Sequence, residues 1–297
     1  MKSIVITGAT SFIGVHFINE CLAKNYKIYA VVRPQSINLS RIPISENIEV
    51  IQMEMSEYNL LPQKVDKADI FVHLAWEGTR AYLRDDDQIQ YKNYNCALTA
   101  MNAAVLLGCQ VFLGTGSQAE YGKMEDTVTE LSPCNPITEY GKSKLLVFEH
   151  LSSIADENKI RFVWTRIFSI YGKYDFQNSL IMSALDKMIN NEPIDLTACT
   201  QVWNYLHVKD AATAILTLVE NEKAHGIYNV AGRDNKPLQS YIEEMKETIN
   251  SSSELRFGVV PYNAEGIVNL KPDIAKIMAL GWRPMINFDE GILDLME

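Results

Sequence analysis

In TEYGKSK a phenol and an amine stand four residues apart, Tyr140 and Lys144. On a helix, positions i and i+4 share a face, so the two groups would point into one site. A neighbouring ammonium lowers a tyrosine pKa and makes the phenol a usable proton donor or acceptor near neutral pH. YxxxK alone is equally consistent with an exposed helix face. A third group comes from LGTGSQAEYG, where Ser117 ends a strand-like run, a place from which a hydroxyl could hydrogen-bond a substrate carbonyl oxygen.

A second chemistry-bearing stretch is ITGATSFIG, Ile6 to Gly14. It follows a strand and opens a helix, the setting of a dinucleotide loop. Gly8 permits the tight turn, Gly14 permits close packing of helix on strand, and the N–H groups of the helix start at Ser11, Phe12 and Ile13 can receive a pyrophosphate. Ser11 stands where such loops usually have a third glycine, but its hydroxyl can donate to a phosphate oxygen, and serine suits a helix N-terminus. A glycine turn without a ligand is the bland alternative. Arg33 ends the second strand, with no acidic residue there. An acid in that place would bind the ribose 2′-hydroxyl of NAD, whereas an arginine suits the 2′-phosphate of NADP. NADP(H) is therefore expected over NAD(H), unless Arg33 is only a solvated strand end.

The elements that must position these groups are legible as an alternation. Runs rich in Val, Ile and Phe at 2–7, 27–33, 48–54, 68–75, 109–116 and 160–168 predict strands. Segments 13–24, 88–107 and 138–156 have helical spacing. The expected fold is α/β, a Rossmann doubly wound parallel sheet with ligands at the carboxyl ends of the strands. After about residue 170 the pattern loosens into helices at 178–190, 209–221, 238–250 and 273–280, with short strands such as GIYNVAG between them. This predicts a smaller C-terminal α/β cap over residues 171–297, some of which return to the 1–170 dinucleotide-binding domain.

The 297 residues carry a net charge of −10, with 47% hydrophobic and 22% charged residues, an ordinary globular composition that speaks against a general nucleic-acid binder. No apolar run approaches a membrane span and no signal-peptide centre follows Met1, so a cytoplasmic location without membrane association is expected. The five cysteines (Cys21, Cys96, Cys109, Cys134, Cys199) are scattered and suggest neither disulfides nor zinc. His73 and His207 read as structural imidazoles, no metal being expected, and Asp85-Asp86-Asp87 as a solvated helix start.

As a set, TGATSFIG, HLA at 73–75, Asn95, GSQAEYG and YGKSK, continued by TRIFSIYG, YLHVKDAA, YNVAG and GWRP, resemble the extended short-chain dehydrogenase/reductase family of the NAD-dependent epimerase/dehydratase type. The resemblance implies Tyr140 as the acid/base, Lys144 as its activator and a ligand of the nicotinamide ribose, Ser117 as the carbonyl partner and Asn95 as a proton-relay or helix-shaping residue. It implies further cofactor contacts at Leu74, Ala75 and Ile167. Extended members act mostly on nucleotide-activated sugars, so the implied partner is a nucleotide-diphosphate sugar. Helices 88–107 and 138–156 resemble those of a family dimer interface, which implies a homodimer.

Within that family, 4,6-dehydratases have a carboxylate pair beside the catalytic Ser or Thr, where this chain has Gln118 and Ala119. Epimerase–reductases of the GDP-fucose synthase type have a cysteine two places after the serine, again Ala119 here. An NADPH-dependent 4-ketoreductase of 4-keto-6-deoxyhexoses and an NAD-retaining 4-epimerase survive, and Arg33 favours the first; a non-catalytic NADP-binding protein is the remaining alternative. Candidate substrate contacts are Trp76, Ser117, Gln118, Asn178 and Trp203, with Asn178 equally able to cap the next helix. Trp203-Asn204 replaces an Arg-Asp frequent in the family, which removes an expected phosphate contact and leaves the carrier base open. Arg80, Arg84 and Arg233 are possible anion partners.

Overall fold

The computed structural model describes residues 1–262 and 268–297. The first part of the chain runs β1 (Ser3–Thr7), α1 (Phe12–Ala23), β2 (Lys27–Val32), β3 (Ile48–Gln52), β4 (Ile70–His73), α2 (Asp87–Leu106), β5 (Val111–Ser117), α3 (Glu139–Asn158) and β6 (Arg161–Ile167). It continues through β7 (Ser169–Tyr171), α4 (Leu180–Ile189), β8 (Ile194–Asp195), β9 (Val202–Trp203), β10 (Tyr205–His207), α5 (Val208–Glu220), β11 (Gly226–Val230), β12 (Lys236–Pro237), α6 (Leu238–Thr248), β13 (Leu255–Arg256), α7 (Ala275–Met278) and α8 (Phe288–Asp294).

Seven strands form one sheet in the order β3-β2-β1-β4-β5-β6-β11, all parallel. The strand order reverses between β1 and β4, the switch point at which doubly wound sheets open a crevice for ligands. This is a Rossmann fold. Both faces of the sheet are covered, and alternation along β1 sends Ile4 and Ile6 to one side and Val5 to the other, all fully buried. The first side packs Phe17 and Ile18 of α1 with Ile215 and Leu218 of α5; the second packs Ala97 and Ala100 of α2 with Val147 and Leu151 of α3. Strands buried on both faces need continuous apolar runs, which is why these segments are so visible in the sequence.

Of the chain after residue 170, α5 and β11 lie with the sheet: GIYNV pairs in parallel with β6, so it is a core strand and not a cap strand. The cap proper has its own apolar cluster, including Ile181, Leu185 and Met188 of α4, Tyr241, Ile242 and Met245 of α6, and Phe288 and Ile292 of α8. It is braced by three two-stranded pairs, β7 with β10, β9 with β12 and β8 with β13. The helix expected over 273–280 shortens to the single turn of α7. No described helix is long and apolar enough to cross a membrane.

Candidate active site

Gly8 has φ +68°, and a Cβ there would sit 2.8 Å from the backbone nitrogen of Ala75, so the turn after β1 requires glycine. A Cβ on Gly14 would meet the Gly8 carbonyl oxygen at 2.3 Å, which is the price of α1 starting this close to its strand. Ser11 is the N-cap of α1, its Oγ accepting from the Gly14 N–H at 3.1 Å. The serine in place of a third glycine therefore serves the helix start, and it lines the cleft beside Thr10, Phe12 and Ile13. Leu74 and Ile167 line the same cleft, and Ala75 backs the turn.

At the carboxyl end of β5, Ser117 is buried and its Oγ accepts from the Ala119 N–H at 3.2 Å. Thr138 caps α3, accepting from the Gly141 N–H at 3.1 Å, and so sets the register in which Tyr140 and Lys144 leave the first turns on one face. Lys144 is 3% exposed; its Nζ donates to the Thr115 carbonyl at 2.6 Å and stands over the Trp76 ring, 3.5 Å from the centroid. Burial drops its pKa to about 7, opposed by the charge of Glu120. Burial pushes the Tyr140 phenol up, while the adjoining Ser117 hydroxyl and the Arg84 guanidinium, 5.2 Å above its ring, push it back. Trp76 meets Tyr140 edge to face at 6.1 Å and is itself held by Gln90, which accepts from its Nε1 at 2.9 Å.

Ser117, Tyr140, Lys144, Gln118, Trp76 and Trp203 all face a cleft of about 1120 Å³ between the sheet edge and the cap. A typical small-molecule site occupies roughly 300–1,000 Å³, so this one has room for a dinucleotide and a second ligand together. Among the described residues its cations are Lys144, Arg41, Lys173 and Arg80, and its one lining carboxylate is Asp175. Arg80 donates to Asp175 at 2.7 Å and lies over the Phe176 ring at 4.9 Å, linking the loop after β4 to the loop after β7 across the cleft. Of the three arginines considered as anion partners, only Arg80 lines the cleft; Arg84 covers Tyr140, and Arg233 donates to the Pro284 carbonyl.

Three sequence expectations are corrected here. Asn95 is exposed and donates to the Tyr91 carbonyl of its own helix, facing away from the cleft. Asn93, two positions and therefore about 200° away around α2, is the buried one: it accepts from the Glu77 N–H at 2.9 Å and donates to the Glu77 carbonyl at 2.8 Å, tying the loop after β4 to the helix. Asn178 is exposed and does not cap α4, a role that Ser179 takes, and it is Gln177 and Ser179 on either side of it that line the cleft. Arg33 does not line the cleft; its side chain is 64% exposed and reaches Glu77 at 4.0 Å. The chain turns after β2, with Gln35 at φ +56°, and it is Ile37, Asn38 and Arg41 that face the cleft, Arg41 lying 4.6 Å over the Tyr174 ring.

Other polar positions are structural. Asn204 is fully buried and clamps the loop after β11, donating to the Gly232 and Asp234 carbonyls at 3.0 Å. Asp86 caps α2 by accepting from the Ile89 N–H. His73 Nδ1 shares a 2.8 Å hydrogen bond with the Thr7 hydroxyl, whereas His207, expected as a satisfied imidazole, has no hydrogen-bond partner on either ring nitrogen among the described residues.

The model of the NAD dependent epimerase/dehydratase family matches residues 4–231, from β1 through the end of β11. The chain belongs to this family. Members similar to it include CDP-abequose synthase of Salmonella muenchen, 24% identical over all of this chain and 97% of that protein, and dTDP-4-dehydro-6-deoxyglucose reductase of Escherichia coli, 25% identical over all of this chain and 97% of that protein. Among solved structures, the UDP-glucose 4-epimerase of Thermotoga maritima with UDP-glucose superposes with a TM-score of 0.89 at 18% identity, covering 99% of this chain and 97% of that one. The Thermus thermophilus UDP-glucose 4-epimerase complex with NAD gives 0.87 at 19% identity, covering 99% and 97%. Family membership makes the chain one of the extended short-chain dehydrogenase/reductase type, and the two curated relatives named above are enzymes of nucleotide-linked sugars.

Sequence reasoning missed Asn93, Arg41, Asp175 and Glu120. The spacing from Gln90 to Asn93, an i, i+3 pair of polar residues on the inner face of an otherwise alanine-lined helix, was a signal for the first. The other three depend on how loops fold back, which no local pattern reports.

Proposed function

We propose that this enzyme reduces the 4-keto group of a nucleotide-linked 4-keto-6-deoxyhexose with NADPH. The observation that carries the reading is the convergence of Ser117, Tyr140 and Lys144 on the floor of a cleft where the two residues after the serine, Gln118 and Ala119, carry no carboxylate. Gln118 faces the cleft in the place where dehydratases of the resemblance class carry an acid, and Glu120 is fully buried away from it.

The residues present fit a dinucleotide: two glycines whose absent side chains leave the turn against Ala75, a capped helix start open to the cleft, and, among the described residues, no acidic side chain at its Thr10–Asn38–Arg41 end. That last feature supports NADP over NAD, and it moves the supporting cation from Arg33 to Arg41. Ser11 and the first N–H groups of α1 would hold the pyrophosphate, and Lys144 the nicotinamide ribose. The bound cofactor supplies hydride. Tyr140 delivers the proton to the sugar oxygen, Lys144 keeps the phenol poised for that transfer, and the Ser117 hydroxyl hydrogen-bonds the oxygen as charge builds on it, an interaction worth most in the transition state. Arg80 and Lys173 are the cations placed for the diphosphate of the sugar nucleotide.

Tyr91 and Leu106 of α2 and Leu146 of α3 are exposed apolar side chains on two helices that pack against each other, which supports a homodimer through these helices; light scattering should return twice the 33.6 kDa chain mass. The enzymatic test is a calorimetric titration of cofactor-free protein with NADPH and NADH. The proposal expects tighter NADPH binding that Arg41→Ala removes and Arg33→Ala barely affects. A preference for NADH would favour the 4-epimerase instead.

A further inference from the structure

Glu120 is the most enclosed charge next to the site, and nothing in the proposed mechanism uses it. It sits three residues after Ser117 in the short 3-10 turn Gln118–Glu120 that closes β5, and it is 0% exposed. Its Oε1 accepts from the Ser117 N–H at 2.8 Å, Trp164 Nε1 donates to both oxygens at 3.1 and 3.2 Å, and Arg166 Nε donates to Oε2 at 2.7 Å. Arg166 is in turn 2% exposed and lies 4.4 Å over the Tyr121 ring. The carboxylate fits only because residue 116 is glycine: a Cβ there would stand 2.2 Å from Glu120 Oε1 and 2.3 Å from Trp164 Nε1.

A pocket this specific is poorly explained by stability. A buried ion pair generally breaks even or loses against apolar residues of the same volume, because desolvation offsets the attraction, and a capping contact contributes only about 1 kcal/mol. Its geometry has a different consequence. Ser117 is held from both ends: the carboxylate takes its N–H from behind, and the Ala119 N–H donates to its Oγ from the front. A hydroxyl has one proton and two lone pairs, so with its oxygen engaged as acceptor by the N–H groups of Ala119 and Glu120 in a capping box, the proton is left free for the cleft. The serine is thereby set as a donor before any ligand arrives, the condition for an oxyanion contact that costs no reorganisation.

We propose that Glu120 is a positioning residue that acts through Ser117, holding its hydroxyl in the donating orientation that the carbonyl oxygen requires. The inference rests on the ketoreductase reading for its kinetic arm and on geometry alone for its structural arm. Glu120→Met with Arg166→Met removes the acceptor and both charges at nearly constant volume; Glu120→Gln with Arg166→Met removes both charges and keeps the acceptor. Each is made with and without Ser117→Ala.

The structural arm is hydrogen exchange of the Ser117 amide by NMR, expected to be at least tenfold faster in E120M/R166M than in E120Q/R166M. The kinetic arm uses NADPH and a nucleotide-linked 4-keto-6-deoxyhexose. There kcat should be at least tenfold lower in E120M/R166M than in E120Q/R166M while KM differs by less than threefold, and E120M/R166M should change kcat by less than threefold once Ser117 is alanine. Equal exchange in the two double variants would overturn the proposal. So would a kcat loss of the same size with and without Ser117, which would mark Glu120 as a structural support independent of it. Absence of turnover in the unaltered enzyme would refute the ketoreductase reading alone, and the exchange arm would still decide the positioning role. If E120M/R166M does not fold, Glu120→Asp, which shortens the reach to the Ser117 N–H while keeping the Arg166 charge matched, takes its place with the same expected outcomes.

Discussion

The floor and the roof of the cleft are built by different means. On the floor, Ser117 and Lys144 are buried and each is fixed by a backbone group, the Ala119 N–H for one and the Thr115 carbonyl for the other. The roof is made of side chains meeting side chains: Arg80 on Asp175 and over Phe176, Arg41 over Tyr174, and Trp203, whose indole N–H has no partner among the described residues. Backbone-anchored groups keep their places whatever binds, which suits chemistry shared across a family. Rings and ion pairs between loops can be exchanged for contacts to a ligand, which suits recognition of a particular sugar nucleotide.

The contrast can be broken most forcefully on the floor. Tyr140→Phe should lower kcat by about 10²–10⁴ with NADPH affinity within about twofold, because it removes a proton donor and little else. If affinity and turnover fell together, the phenol would be a binding group and the division would fail. Lys144→Met tests the electrostatics of the floor in the apo-protein. The folded-state pKa, about 7, lies below the ordinary lysine value of 10.5, so the unfolded chain binds the proton more tightly. Below pH 7 the folded state carries the full cost of the buried charge, and stability is recovered as pH rises from 7 toward 10.5. Lys144→Met should therefore raise the apo-protein's stability at pH 6 by an amount on the order of a few kcal/mol, with the gain fading toward pH 10 in urea denaturation. A gain that does not depend on pH would assign it to packing.

On the roof, Arg80→Ala should raise KM for the sugar nucleotide about tenfold and lower kcat less, the mark of a ground-state binding contact. A fall in kcat with KM unchanged would move Arg80 to the chemistry. The smallest effect sharpens the geometry: Asn95→Ala should leave kcat/KM within about twofold, whereas Asn93→Ala, which strips both polar ties from the Glu77 backbone, should cost about 1–3 kcal/mol of stability.

Legibility in the sequence follows the same division. The six strands before residue 170 were visible within two or three residues because both faces of the sheet are covered, and that Tyr140, Lys144 and Ser117 meet at one cleft was legible because one helical turn and one strand end place them. Asn95 was mistaken for Asn93 because a two-residue step turns a helix side chain to the far face, and only the Glu77 loop shows which face is inward. Arg33 was singled out and Arg41 went unnoticed because a strand end is readable and the fold-back after Gln35 is not. Glu120 drew no notice because its partners Trp164 and Arg166 stand more than forty residues further along the chain, and only the fold brings them around it. GIYNVAG was placed among cap strands because a parallel partner sixty residues upstream leaves no local trace.

The most direct test of the central claim is to follow the nicotinamide absorbance of NADPH while the purified enzyme acts on a nucleotide-linked 4-keto-6-deoxyhexose, and to analyse the sugar at C4. The account predicts one NADPH consumed per 4-hydroxyl formed, more slowly with NADH. Interconversion of a nucleotide sugar at C4 with no net consumption of reduced cofactor would contradict it.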